Sequence, residues 1–234
     1  MRWLLRFALL LLVASPFVLV LAVREGWVEV PNDWNPWAAL EIDAVPNALT
    51  RYKLARVSAD PQLCRTVLST ARVTFEVLTD RVTGPQCGFT NAVRIDRTSS
   101  ELDESFSLTC PAAVSLALWE RHVVQPAAQH HFQAPVTKLE HFGSYSCRNV
   151  YGRQNARRSQ HATAQALDVA GFVIGNEQRV RVIRDWDGKD PAAMFLREVR
   201  DGACRFFDGV LSPDYNAAHR DHFHLDRGPY RVCR

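Results

Sequence analysis

The 234-residue sequence contains no His-Glu-x-x-His, which excludes the zinc peptidases that carry two ligands and a base on one helix. It has no Cys-x-x-Cys pair, which argues against zinc fingers and thioredoxin-like redox sites. Its net charge is only +3, with no long basic run and no nucleic-acid motif, so no partnership with DNA or RNA is expected. Internal repeats and low-complexity stretches are also missing. What is there is a chain 47% hydrophobic and 23% charged, enough to bury a sizeable core in one main domain with extensions.

The N-terminus, MRWLLRFALLLLVASPFVLVLAVREGW, places Arg2 and Arg6 before an uncharged, mostly apolar run from Phe7 to Val23, closed by Arg24 and Glu25. A basic start followed by an apolar stretch marks a signal anchor or a signal peptide. The run spans about 25 Å as a helix, slightly short of a full bilayer crossing. An uncleaved anchor in residues 1–25 is expected first, a cleaved signal second. Either puts the remainder outside the cytoplasm, with the inner membrane as a partner through this segment. Residues 26–58 are rich in Pro, Asn and Trp (Trp27, Trp34, Trp37) and read as an extended linker. The domain proper is expected over 59–234. Cys64, Cys87, Cys110, Cys147, Cys204 and Cys233 are widely spread, and an even count in an exported chain predicts three disulfides of open connectivity.

Along the domain, Asp60-Pro61 and Asp190-Pro191 each read as an N-cap followed by proline at the first helical position. The stretch from Pro111 to His131 has helical periodicity, which Pro126 is expected to end or kink. Strands are expected at RVTFEVLTD, CGFTNAVRID, VTKLEHFGSYSC, ALDVAGFVI and QRVRVIRDW. Helices and strands mixed without regular alternation give an α+β class: a small, mostly antiparallel sheet with flanking helices.

Near the C-terminus, HRDHFHLD holds three histidines within six residues. As a strand, His222 and His224 project to one face while Phe223 and Leu225 turn to the other, so the apolar pair anchors the strand and the imidazoles face a cleft. Upstream, His161 is followed seven residues later by Asp168. Histidine nitrogen and aspartate oxygen are good zinc donors. Three protein ligands, His161, Asp168 and one histidine of the His-x-His pair, would leave a position for water, as catalytic zinc sites do.

Ser-x-His, six further residues, Asp, and a later His-x-His resemble the signature of zinc D,D-carboxypeptidases and murein endopeptidases, the D-Ala-D-Ala metallopeptidases related to lysostaphin-like enzymes. Within that superfamily the chain is similar to the extensin-like C-terminal proteins of bacteria, in GSYSCR (143–148), HATAQALDVAGF (161–172) and HRDHFHLD with a cysteine soon after. The resemblance covers roughly residues 45–234. It implies His161, Asp168 and His224 as zinc ligands and His222 as the catalytic base or stabilising neighbour. Arg148 would hold a substrate carboxylate or polarise the scissile carbonyl, and Ser159 and His219 would contact substrate. Where the common pattern has glycine three residues after the first ligand, this chain has Ala164, and crowding of the backbone follows.

The expected function is zinc-dependent hydrolysis of peptidoglycan stem or cross-link peptides in the bacterial cell envelope. A wall-binding or scaffold module without turnover is the opposing class, and a zinc amidase or esterase a third. Asp221 and Asp226 are equally well read as carboxylates that orient imidazoles or as loop charges. Arg153, Arg157 and Arg158 read as a solvated basic loop. His122, His130, His131 and His141 fit no ligand spacing and are expected to be structural or surface residues.

Overall fold

The computed structural model describes residues 2–234. Helix α1, Arg2–Arg24, is 23 residues long, and an 18-residue window within it has a mean hydropathy of 2.5 with none of it buried. It is long and apolar enough to cross a membrane, as an anchor or a signal sequence would be.

The helices that follow are α2 (Thr50–Ala59), α3 (Pro61–Ser69), α4 (Cys110–Trp119), α5 (Gln125–Phe132), α6 (Val182–Asp185) and α7 (Pro191–Ala203). The strands are β1 (Thr74–Val77), β2 (Arg81–Gly84), β3 (Cys87–Phe89), β4 (Ala92–Arg97), β5 (Glu101–Leu102), β6 (Phe106–Thr109), β7 (Val136–Gly143), β8 (Ala166–Ile174), β9 (Gln178–Arg181), β10 (Gly209–Leu211), β11 (Phe223–Asp226) and β12 (Val232–Cys233). The main sheet has seven strands, in the order β12-β10-β11-β8-β7-β5 with β9 also paired to β8. It is antiparallel through its centre, and only the short edge strands β5 and β12 run parallel to their neighbours. A three-stranded sheet β1-β4-β6 and the hairpin β2-β3 complete a mixed α/β architecture.

Local chemistry explains these elements. Asp60 Oδ1 accepts from the amides of Gln62 and Leu63, and Asp190 Oδ1 accepts from Ala193, so both caps satisfy donors that the first helical turn leaves free. Helix α7 buries Phe195, Leu196 and Val199 against the core. Trp119, Phe172, Phe195 and Phe207 pack edge to face at its centre.

One expectation is corrected. Residues 50–58, read as extended linker, belong to α2 and bury Leu54 and Val57, and Leu40 and Ile42 before them join the same core. The helical stripe was masked because Lys53 sits in it, with Nζ bonded to the carbonyl oxygens of Asn32 and Ala39. Pro126, expected to end or kink its helix, does not end the helical run, but the α-helix is interrupted just before it. A π-helical stretch, Glu120–Val124, joins α4 to α5, and its wider turn accommodates the proline ring in the first turn of α5.

That π turn carries Glu120, wholly buried, accepting from the hydroxyls of Thr98 at 2.8 Å and Ser99 at 3.1 Å. Burial pushes its carboxyl from 4.5 up to about 7, against the opposing pull of those hydrogen bonds. The folded state therefore holds a proton that the unfolded chain releases, and stability falls as pH rises from 4.5 through about 7. Glu120→Gln is expected to gain up to about 3 kcal/mol relative to the parent between pH 5 and pH 8, read from unfolding midpoints at both values.

All six cysteines pair, as Cys64–Cys110, Cys87–Cys147 and Cys204–Cys233. The first ties α3 to α4, the second ties β3 to the loop after β7, and the third ties the end of α7 to β12.

Candidate metal centre

Strands β11 and β8 place two acid–base side chains directly opposite one another, because His224 pairs with Asp168 in their antiparallel register. Alternation sends Phe223 and Leu225, and on β8 Leu167 and Val169, into the core, leaving the polar residues on the other face. His161 arrives from a short 3-10 turn, Gln160–Thr163, whose N-cap Ser159 accepts from the His161 amide at 3.4 Å. That turn closes at Ala164, fully buried with φ +53° in the left-handed region, a backbone conformation that favours glycine. Ala164→Gly is expected to be neutral to stabilising by about 1 kcal/mol, checked by denaturant midpoint.

His161 Nε2, His224 Nδ1 and Asp168 Oδ1 meet at 3.0 to 3.1 Å from one another, all buried. The far side of each ring fixes its tautomer. His161 Nδ1 lies 2.5 Å from the Ser144 carbonyl, which only accepts, so Nδ1 carries the proton. His224 Nε2 lies 3.0 Å from Asp226 Oδ2 and donates to that carboxylate. With those outer protons in place, the two inner nitrogens and the Asp168 carboxylate are satisfied together only by a shared cation, either a proton on His224 Nδ1 or a metal in its place. Tetrahedral zinc at ordinary bond lengths sets its ligand atoms roughly 3.3 Å apart, a few tenths of an ångström wider than the metal-free spacing. The residues fit the metal.

Electrostatics agree. Burial would raise Asp168, but hydrogen bonds from His161 and His224 hold its carboxyl well below the usual carboxylate range. Burial would lower His224, but its bonds to Asp168 and Asp226 overcome that and push it up to about 9. Room for Asp226 is made by Gly209, where an added Cβ would come within 2.2 Å of Asp226 Oδ2. Replacing Asp226 by Asn is expected to weaken metal affinity about 10- to 100-fold without unfolding the chain, measured by competition with a chromophoric chelator.

All seven residues singled out from the sequence border one cleft of about 380 Å³: Arg148, Ser159, His161, Asp168, His219, His222 and His224. His222 Nδ1 bonds Asp221 Oδ1 at 2.8 Å, and its Nε2 faces the cleft 3.5 Å from Asp168. His219 is held by Asn216 Oδ1 at 2.8 Å, and burial, followed by the neighbouring His224 and His222, lowers it to about 4, so it stays neutral near pH 7. The Arg148 guanidinium stands half exposed, 3.8 Å from Asp168, and the adjoining Cys147 is pinned to Cys87. Arg158 is not a free loop charge: it bonds Asn149 and the Pro85 carbonyl, while Arg157 stacks over Tyr230. Sequence reasoning missed the Ser144 carbonyl that orients His161, since a backbone acceptor leaves no residue-type signal. A larger cavity of about 700 Å³ lies at the far end of β7 and β8, by Val136 and Gly175, away from this cluster.

Fold and site together define a disulfide-braced mixed α/β domain with a buried His-Asp-His cluster bordering a cleft. The chain belongs to the family described as Extensin-like protein C-terminus, whose model matches residues 62–234. No curated protein and no solved structure matches it.

Proposed function

We propose that the domain is a zinc-dependent hydrolase of the bacterial cell envelope that cuts stem or cross-link peptides of peptidoglycan, in the manner of the D-Ala-D-Ala metallopeptidases and their lysostaphin-like relatives. The observation that carries this reading is the convergence of His161 Nε2, His224 Nδ1 and Asp168 Oδ1 at 3.0 to 3.1 Å, with each imidazole held from its far side by Ser144 or Asp226. The family description names no substrate, and nothing in the chain is a Pro-rich extensin repeat.

When bound by His161, Asp168 and His224, zinc would supply a Lewis acid that polarises an amide carbonyl and makes water a nucleophile near neutral pH. The other steps belong to the chain. His222, its Nδ1–H fixed on Asp221, presents Nε2 to the cleft, where it takes a proton from attacking water and returns it to the leaving amine. Arg148, half exposed and 3.8 Å from Asp168, carries a guanidinium fork shaped for a substrate carboxylate. His219 and Ser159 shape the cleft wall beside it, and neutral His219 offers a nitrogen for hydrogen bonding. An N-terminal helix suited to anchor the chain, or to export it as a signal sequence, supports a reading in which this cleft works outside the cytoplasm, on the periplasmic side of the inner membrane.

The test is incubation of zinc-loaded full-length protein with purified muropeptides carrying D,D and L,D cross-links, products resolved by mass spectrometry. A new amine and a new carboxylate at one peptide position are expected. Intact substrates throughout, with metal bound, would overturn hydrolysis and leave a wall-binding module.

A further inference from the structure

Neighbouring residues on an α-helix point about 100° apart, so adjacent histidines do not ordinarily share a ligand. In the last turn of α5 they do. The rings of His130 and His131 lie 4.5 Å apart, and both face one oxygen of Glu198 on α7. His131 Nε2 is 2.8 Å from Glu198 Oε2, and His130 Nδ1 is 3.6 Å from the same atom. One donor atom from each residue falls within 4.8 Å of the others. The helix stops immediately afterwards, with Gln133 in the left-handed region at φ +55°.

The frame around the trio is firm. Phe132 packs edge-on against Phe195 at 5.6 Å, which fixes α5 on α7 one turn from Glu198. The His131 side chain is only 11% exposed, whereas those of His130 and Glu198 are open to water at 72% and 46%. A hydrated cation thus has a way in and a fixed partner on arrival. Among the described residues, no lysine or arginine pairs with Glu198, so the carboxylate faces imidazoles alone. Two nitrogens and one carboxylate oxygen, with positions left for water, suit a borderline divalent cation such as zinc, copper or nickel and not magnesium or calcium. The trio shares no residue and no strand with the cleft.

We propose that His130, His131 and Glu198 form a second metal site, taking a borderline divalent cation and clamping α5 to α7. It is independent of the cleft cluster and of any catalysis there.

The experiment is equilibrium dialysis of the full chain in detergent micelles against zinc at one fixed free concentration, followed by elemental analysis. Two zinc ions per chain are expected, falling to one in His131→Ala and one in Glu198→Gln, the latter a near-isosteric change that leaves the helix pair packed. His161→Ala also falls to one, and its combination with His131→Ala to none. The proposal is overturned if His131→Ala and Glu198→Gln hold as much zinc as the parent. If the cleft were the site that binds nothing, the parent would hold one ion, lost in His131→Ala and kept in His161→Ala, so the two readings fail separately.

Discussion

His222→Ala is expected to keep the cleft metal and the fold while losing peptide hydrolysis by about 10²- to 10⁴-fold, the usual range for removing one general acid–base group. His222 is not in the buried trio. Its Nδ1 is committed to Asp221, and its Nε2 stands 3.5 Å from Asp168 at the cleft surface, placed for proton transfer and not for ligation. The loss should fall on kcat more than on KM, since a proton shuttle acts in the transition state. Asp221→Asn should produce a smaller loss of the same kind, because a ring without its carboxylate partner still reaches the cleft. A His222→Ala protein that has shed its metal would show instead that His222 is a ligand.

The second large effect concerns stability. Replacing Cys64 and Cys110 by alanine is expected to cost about 4 kcal/mol, the chain-entropy value for a loop of 46 residues, read as a drop in denaturant midpoint with an m-value that rises as the unfolded chain loses its cross-link. Both cysteines are fully buried in the main core, where they tie α3 to α4. Cys87–Cys147 behaves differently. It holds an exposed loop beside Arg148, so opening it should affect substrate binding more than global stability. A double variant at Cys64 and Cys110 that unfolds at the parent's denaturant concentration would show that core packing alone sets the α3–α4 contact.

Much of this site was legible in the sequence because its parts are local. His-x-His on a strand and His161 seven residues before Asp168 are short-range patterns, and alternation with Phe223, Leu225, Leu167 and Val169 says which face each takes. The left-handed turn at Ala164 was not read: its departure from glycine suggested only crowding of the backbone. Whether Asp221 and Asp226 were loop charges or imidazole partners was not decidable from spacing. The structure joins each to a histidine, Asp221 to His222 and Asp226 to His224.

The unread parts depend on distance in the chain. His131 meets Glu198 across 67 residues, and a His-His pair on a helix has no ligand spacing to reveal it. Helix α2 was hidden by Lys53, whose buried ammonium is satisfied by carbonyls that no periodicity count includes. Disulfide connectivity likewise depends on which loops fold together.

The central claim, that three converging lone pairs form a metal site, is tested most directly by metal content in the cleft. The full chain with its disulfides intact, carrying His131→Ala so that only the cleft contributes, is loaded with zinc, dialysed and analysed beside the same protein with His161→Ala or His224→Ala. One zinc per chain, lost in both of the latter, is the predicted result. No zinc in the folded protein carrying both His161 and His224 would contradict the claim and leave the three side chains as a buried proton-sharing network.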